Sequence, residues 1–420
     1  MTELVPPTAE AELADVGVPT SPARRPGRFV ALVRRTLGGP GAWTGVAVIG
    51  TLAVFAVFAP LLANSFPLVA RTADGTLHFP AFRFATFADV SLPLCAAFVP
   101  VAVWRLRRRG PARRWAVLLG AVGLIVLGSW LFVNPPGVTV FESWRQKAAA
   151  GEVDWAVYPP IRFSPQDRLR DVTGFSRPLP PTWSPSFDEP GIVGTGYVHL
   201  LGTDRNGADI ASKMIHASRI AMAIGFLATG IAMVIGIVLG ALMGFFSGVV
   251  DLLGMRLVEV FEAIPVLFLL LTFVAFFGRN LYIIMVIIGV TGWTGYARFV
   301  RAEFLRLRQQ DFVQAAKACG LPLSSVLFRH MLPNGVTPVL VAASFGIASA
   351  ILSEATLSFL GLGLIDAPSW GQLLNEAVTG GGFYWWLAAF PGFAIFATVL
   401  AYNLVGESLR DALDPKASSK

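Results

Sequence analysis

The stretch DFVQAAKACGLPLSSVLFRHMLPN, Asp311 to Asn334, lies between two long apolar segments of a strongly hydrophobic chain. Phe312, Ala315, Ala316 and Cys319 fall at i, i+3, i+4 and i+7, the spacing of one helical face. Gly320 stands where a helix end favours glycine, which enters the left-handed conformation without strain. Pro322 suits a fresh helical start. Leu323, Val326, Leu327 and Met331 continue the apolar stripe, and Pro333 closes it. Two short amphipathic helices with a glycine between them form a docking device. What docks there is read from the rest of the chain.

Of the 420 residues, 55% are hydrophobic and only 14% charged, whereas about a quarter of a soluble domain is charged. Apolar runs of about 18 residues without charges read as membrane spans. Eight are expected, at about 42–63, 90–104, 115–133, 218–246, 257–277, 281–297, 336–361 and 385–406. The fold class is therefore all-α integral membrane, with membrane lipid around it. The second span is the shortest and contains Pro93 and Pro100. Along the fourth, Gly225, Gly230, Gly236, Gly240 and Gly244 recur, the composition of a close helix contact. Cys95 and Cys319 fall in a span and in a loop and imply no disulfide framework. The four histidines, at 78, 199, 216 and 330, are too scattered for a metal cluster.

The basic excess is almost all arginine, and its distribution is topological. Arg24, Arg25, Arg28, Arg34 and Arg35 precede the first span, and Arg105, Arg107, Arg108, Arg109, Arg113 and Arg114 fill the link between the second and third. Arg298, Arg301, Arg306, Arg308, Lys317 and Arg329 follow the sixth, and Arg410, Lys416 and Lys420 end the chain. The short links on the other side carry only Arg71, Arg83 and Arg279. The positive-inside rule puts both termini and the 298–335 loop in the cytoplasm, and no nucleic-acid surface is implied. The expected organisation is a flexible tail 1–40, an N-terminal membrane region 41–134, an outer loop 135–217, a transmembrane core 218–410 containing the 298–335 loop, and a tail 411–420. No short hydrophobic core followed by a cleavage site opens the chain, so the first span is expected to act as an uncleaved anchor. The Pro-, Gly- and aromatic-rich outer segment is expected to be an ordered excursion along the outer face.

Catalysis is disfavoured. None of the five lysines has the glycines of a G-x-x-x-x-G-K-[ST] phosphate loop before it, so the chain cannot hydrolyse ATP by that route. GGGF at 380–383 is a turn, and no Ser-His-Asp arrangement emerges from the spacing. No cofactor is expected.

The cytoplasmic stretch closely resembles the EAA loop of ABC-importer permeases, with Gln314, Ala315, Ala316, Gly320, Leu332 and Pro333 at the family's spacing. Glutamine in place of the usual leading glutamate keeps a hydrogen-bonding side chain and removes a charge. HLLGTDRNGADIASKMIHASRIAM (199–222), MRLVEVFEAIPVLFLLL (255–271), VRAEFLRLR (300–308), RHMLPN (329–334), SEATLSFLGLGL (353–364) and GESLRDALDP (406–415) follow in the order of the oligopeptide/dipeptide/nickel permeases, C-type subunit. The resemblance covers about 199–416 and the first span; the outer loop and RFSP are most similar to the branch importing peptide antibiotics such as microcin C. It implies a MetI-like permease core and half of a translocation path. It also implies a second homologous permease, two ATP-binding subunits that dock on the loop, and an extracytoplasmic substrate-binding protein. Location in a bacterial inner membrane follows. The two spans at about 90–133 lie outside the usual six-span pattern.

Glu354 sits in an apolar run, where a carboxylate is costly enough to mark function; the resemblance places it near the outer mouth, as a gate or packing residue or a substrate contact. Arg256 and Glu259 are spaced for an i, i+3 ion pair, favoured over a proton site. Asp204 and Asp209 flank Asn206-Gly207, a turn or helix cap; calcium would need more ligands. The rival readings are an ion-coupled secondary transporter, for which only Glu354 is well placed and no repeat is visible, and nickel instead of peptide import within the same family.

Overall fold

Pro265 divides what the sequence presents as one span at 257–277. The residue before a proline is pushed out of the helical region, and Ile264 is extended at φ −92°, ψ 119°. The result is two helices, Gly248–Ala263 and Val266–Phe277, bent by 77°. The second has 12 residues, about 18 Å of helix, too short to cross a hydrocarbon core of about 30 Å unaided.

This computed structural model describes residues 35–106, 110–172, 178–188, 194–364 and 367–413. The tails 1–34 and 414–420, and with them Arg24, Arg25, Arg28, Arg34, Lys416 and Lys420, lie outside the described residues, as do Arg107, Arg108 and Arg109. The helices are α1 (Pro40–Leu62), α2 (Phe87–Leu106), α3 (Pro111–Phe132), α4 (Ser143–Ala149), α5 (Ile210–Phe246), α6 (Gly248–Ala263), α7 (Val266–Phe277), α8 (Leu281–Thr291), α9 (Trp293–Leu307), α10 (Asp311–Ala318), α11 (Thr337–Leu357), α12 (Trp370–Thr379) and α13 (Trp385–Leu413). Among the described residues seven helical stretches are long and apolar enough to span a membrane, and the bent α6–α7 pair makes an eighth.

Two further boundaries differ from the expected spans. The fourth begins at Ile210, because Asp209 caps α5 by accepting from Ser212 N, so α5 runs 37 residues. The sixth continues through Gly292 to Leu307, as α8 followed by α9.

α5 is the axis of the core and packs on α9, α1, α8 and α11. Its glycines explain the closeness of the α5–α9 contact. A β-carbon at Gly240 would stand 2.5 Å from the carbonyl oxygen of Ala297, and one at Gly244 would stand 2.6 Å from that of Arg301. Gly236 meets Trp293 and Tyr296 in the same way, whereas Gly230 faces open space. α2 and α3 pack on each other and lean on α1; their other faces carry Leu94, Trp104, Leu119 and Leu124, all at least half exposed.

The segments on either side of the α2–α3 hairpin are ordered around a small sheet that the helical pattern does not announce. β1 (Val69–Thr72) pairs antiparallel with β2 (Leu77–His78) and with β3 (Val153–Val157), with a register shift between Arg71 and Thr72. Phe66 stacks on Phe84 at 4.1 Å, over Ala70, Ala81 and Trp144. Arg145 of α4 clamps Asp167 and Asp171, with Nη2 donating to Asp171 Oδ1 at 2.6 Å. The C-terminal end of α1, which leads into this layer, is tied to α5: His216 Nε2 lies 3.0 Å from the carbonyl oxygen of Ala63, and Arg219 Nε donates to that of Ala56 at 2.9 Å.

Candidate functional site

The loop after α9 folds into a compact two-helix foot. α10 carries Asp311 in its first turn and Lys317 in its last, each complementing the helix dipole. Gly320 takes φ +73°. Gly320 N donates to the carbonyl of Lys317 (2.9 Å) and Leu321 N to that of Ala316 (3.2 Å), the paired bonds of a Schellman cap.

The second helix departs from the sequence expectation. Pro322 accepts from Ser325 N and Val326 N, but Ser325–Met331 is π-helical, and Pro333 lies within the following turn, Leu332–Gly335, and does not close the stripe. Proline has no N–H to continue the i→i−4 ladder, so the preceding turn widens. His330 Nδ1 donates to Ser325 O at 3.0 Å and Asn334 Nδ2 to His330 O at 2.8 Å.

The predicted apolar stripe is split between two faces. Val313, Ala316, Val326, Leu327 and Met331 turn inward and pack on Phe304 and Leu307 of α9. Phe312 (40% exposed), Ala315, Cys319, Leu321, Leu323 and Phe328 (64% exposed) turn outward. Val313 and Met331 are fully buried, each contributing roughly 1.5–3 kcal/mol to holding the foot on α9. An apolar face held this firmly and left uncovered is chemically a contact surface. Gln314 is exposed, and its Nε2 donates to the carbonyl of Arg308 at 2.7 Å. Leu332 is half-buried and Pro333 exposed.

A family model described as "Binding-protein-dependent transport system inner membrane component" matches residues 236–419, which include the foot. The oligopeptide transport system permease protein OppC of Haemophilus influenzae is 38% identical over 222 residues, covering 53% of this chain and 71% of that protein. The chain belongs to this permease family. The inner membrane ABC transporter permease protein YejE of Escherichia coli is 34% identical over 263 residues, 62% of this chain and 72% of that one. Among solved structures, an inward-facing MetNI methionine ABC transporter covers 48% of this chain and 97% of its own at 18% identity, with a TM-score of 0.42. The protein is thus a mostly α-helical, multi-pass inner-membrane permease of the binding-protein-dependent ABC importers, the C-type class of its relatives.

The remaining candidates lie away from the foot. Glu354, 3% exposed, accepts from Ser358 Oγ at 2.6 Å; Ser358 opens the π-helical end of the α11 span. Arg256 Nη1 donates to Glu259 Oε2 at 2.6 Å in the open, where such a pair contributes about 0–1 kcal/mol. Glu262 pairs instead with Arg298, across the Pro265 bend.

Three polar features escaped sequence reasoning. Arg301 Nη2 donates to Asp251 Oδ2 at 2.7 Å, fastening α6 to α9. Arg308 Nη1 donates to Ser247 Oγ at 2.6 Å at the α5–α6 corner. Ser247-Gly248, both at positive φ, is a readable turn signal, but nothing in the sequence names Arg308 as its partner. Arg219 of α5 pairs with Asp89 at the start of α2, 130 residues away and beyond any local pattern.

Proposed function

We propose that the permease imports peptides or peptide-like compounds and takes up the work of ATP through the foot at 311–334. The observation that carries this reading is the exposed face of Phe312, Ala315, Leu321, Leu323 and Phe328 on a foot whose other face is locked to α9. ATP is hydrolysed by two separate subunits that seat this face; their closure moves the foot, and α9 carries the movement into the span bundle. A second homologous permease supplies the other half of the path, and an extracytoplasmic binding protein delivers substrate. The peptide class is supported by relatives whose names specify oligopeptide, dipeptide and glutathione transport.

Both termini and the foot are cytoplasmic in this reading, and 134–217 is outside. What supports it is the positive-inside rule applied to Arg105 and Arg114 at the link between α2 and α3, and to Arg306, Arg308 and Arg329 after α8.

The decisive experiment co-expresses the chain with its importer partners and follows ATPase co-purification and peptide uptake. Ala315→Asp, which places a charge on the exposed face without touching α9, is expected to insert normally and to lose both. Normal co-purification and uptake in that variant would overturn the coupling role. Sidedness is read with a membrane-impermeant thiol reagent on intact cells: Val138→Cys, at a position 78% exposed, is labelled, and exposed Cys319 is not.

A further inference from the structure

Beside the start of α5, on the face assigned to the outside, a depression of about 450 Å³ opens between 160–163 and 196–200. That size falls within the range of small-ligand sites. Its floor is finished. Asp209 Oδ1 lies 2.9 Å from His199 Nδ1, Asp209 Oδ2 accepts from Ser212 N at 2.8 Å, and His199 Nε2 lies 3.1 Å from Thr195 Oγ1. These groups are spent on one another and on the α5 cap. What the lining offers is the ring of Tyr197, 36% exposed and held edge-on at 5.8 Å by a buried Phe163 that stacks on His199 at 4.6 Å. Pro160, Ile161 and Leu200 extend the apolar wall.

The rim differs in kind. Arg162 is exposed and stands 5.4 Å from the ring centre of Tyr158. Unlike Arg145 and Arg219, which are paired, Arg162 forms no ion pair among the described residues. A guanidinium presents a flat fork that matches a carboxylate in two hydrogen bonds. An aromatic cleft with an unpaired fork at its mouth is complementary to an apolar side chain carried next to a carboxylate.

We propose that this depression is a binding site for the C-terminal residue of a short peptide, with Arg162 taking the carboxylate and the apolar wall of Tyr197, Ile161 and Leu200 taking an apolar side chain. The inference rests on the peptide-importer reading and deepens it. The site is distinct from the foot and lies on Asp209, the residue that caps α5, so an occupant rests on the outer end of the longest span.

The test uses the full chain in lipid nanodiscs, without ATPase subunits, and the tripeptide Gly-Gly-Phe with a fluorophore on its amino end, as the free acid and as the C-terminal amide. The acid is expected to bind at least tenfold more tightly than the amide. Arg162→Gln is expected to remove that difference, and Tyr197→Ala to weaken both. Both substitutions sit at exposed positions, and unchanged ATPase co-purification by the variants shows that they fold. Equal binding of acid and amide, binding no greater than to empty nanodiscs, or discrimination surviving Arg162→Gln overturns the site. So does an Arg162→Gln variant that loses the binding protein and leaves acid and amide binding as it was, which makes the depression a protein-docking surface. The transport reading fails on co-purification and uptake in the unaltered chain; this inference fails on the acid–amide comparison with those two intact.

Discussion

Gln314 Nε2 donates to the backbone carbonyl of Arg308 at 2.7 Å, fastening the first turn of α10 to the end of α9. A glutamate, the residue usual at this place in the motif, has no hydrogen to give there. Gln314→Glu therefore removes the donor and sets a carboxylate against a carbonyl oxygen. The net loss is about 1 kcal/mol, and amide exchange across 308–318, followed by mass spectrometry, is expected to rise by about fivefold. Unchanged protection means that the bond contributes nothing to the foot.

Gly320 is open on every side, with nothing within 4 Å of where a β-carbon would be. Its sensitivity therefore lies in its conformation, not in crowding within the chain. At φ +73° a β-branched residue is strained while asparagine is tolerated. ATPase co-purification is expected to fall in the order Gly320, Gly320→Asn, Gly320→Val, and Gly320→Asp adds a charge to the contact face and loses uptake. Equal coupling in the asparagine and valine variants would show that the left-handed cap does not set the angle of the foot.

The hairpin of α2 and α3 cannot simply be cut out. Removing about 88–133 deletes Asp89 and leaves Arg219, 19% exposed, without its charge partner. Breaking a fully buried pair from one side costs about 3–5 kcal/mol, and this part-buried one costs less, whereas replacing both members by apolar groups is often neutral. The deletion alone is expected to lower the yield of inserted protein, and the deletion combined with Arg219→Met to recover it with transport intact. Failure of the double change to recover assembly shows that the hairpin has a role beyond satisfying Arg219.

Asp171 gives the outer layer an acid limit. The Arg145 hydrogen bonds, opposed by burial, hold its carboxyl below the ordinary 3.8. A carboxyl depressed in the folded state stabilises fully above the unfolded value and loses that contribution as pH falls through the folded one. Protection factors over 145–171 should hold from pH 7 to about 4 and drop below it. Asp171→Asn should lower protection at pH 7 and remove the acid step. A step centred above pH 5 assigns the transition to another group.

Glu354 accepts a short bond from Ser358, beside a second side-chain hydrogen bond from Ser369. If its task is to hold the end of the α11 span, an amide oxygen can accept that bond as well. Glu354→Gln is expected to keep uptake within about twofold, reflecting less than 1 kcal/mol, and Glu354→Leu, which strands the Ser358 hydroxyl, to lose it. Abolished uptake in Glu354→Gln with normal assembly returns the residue to a proton-linked role.

The spans were legible because continuous apolar runs need no partner to be recognised; α1, α3 and α13 lie within a few residues of their expected limits, apart from the extension of α13 to Leu413. The Pro265 bend was legible in principle, since a proline inside an apolar run is a breaker, but hydropathy averages over it. The foot was read as one stripe because periodicity tells which residues share a face, not which half of that face meets α9. Ala316 went in and Ala315 stayed out. The outer sheet was missed because β1 and β3 are separated by two spans. Arg219–Asp89 and Arg308–Ser247 depend on tertiary proximity that no spacing rule contains.

The glycine contacts between α5 and α9 have a mechanical meaning. With backbone lying on backbone at Gly236, Gly240 and Gly244, there is no layer of side chains to shear, and neither helix can slip a turn past the other without steric collision. The pair therefore behaves as one rigid strut. One end of it is the foot that Phe304 anchors, and the other is the Asp209 cap, so in the proposed coupling a push on the foot would be carried to the start of α5 with no yielding joint between them.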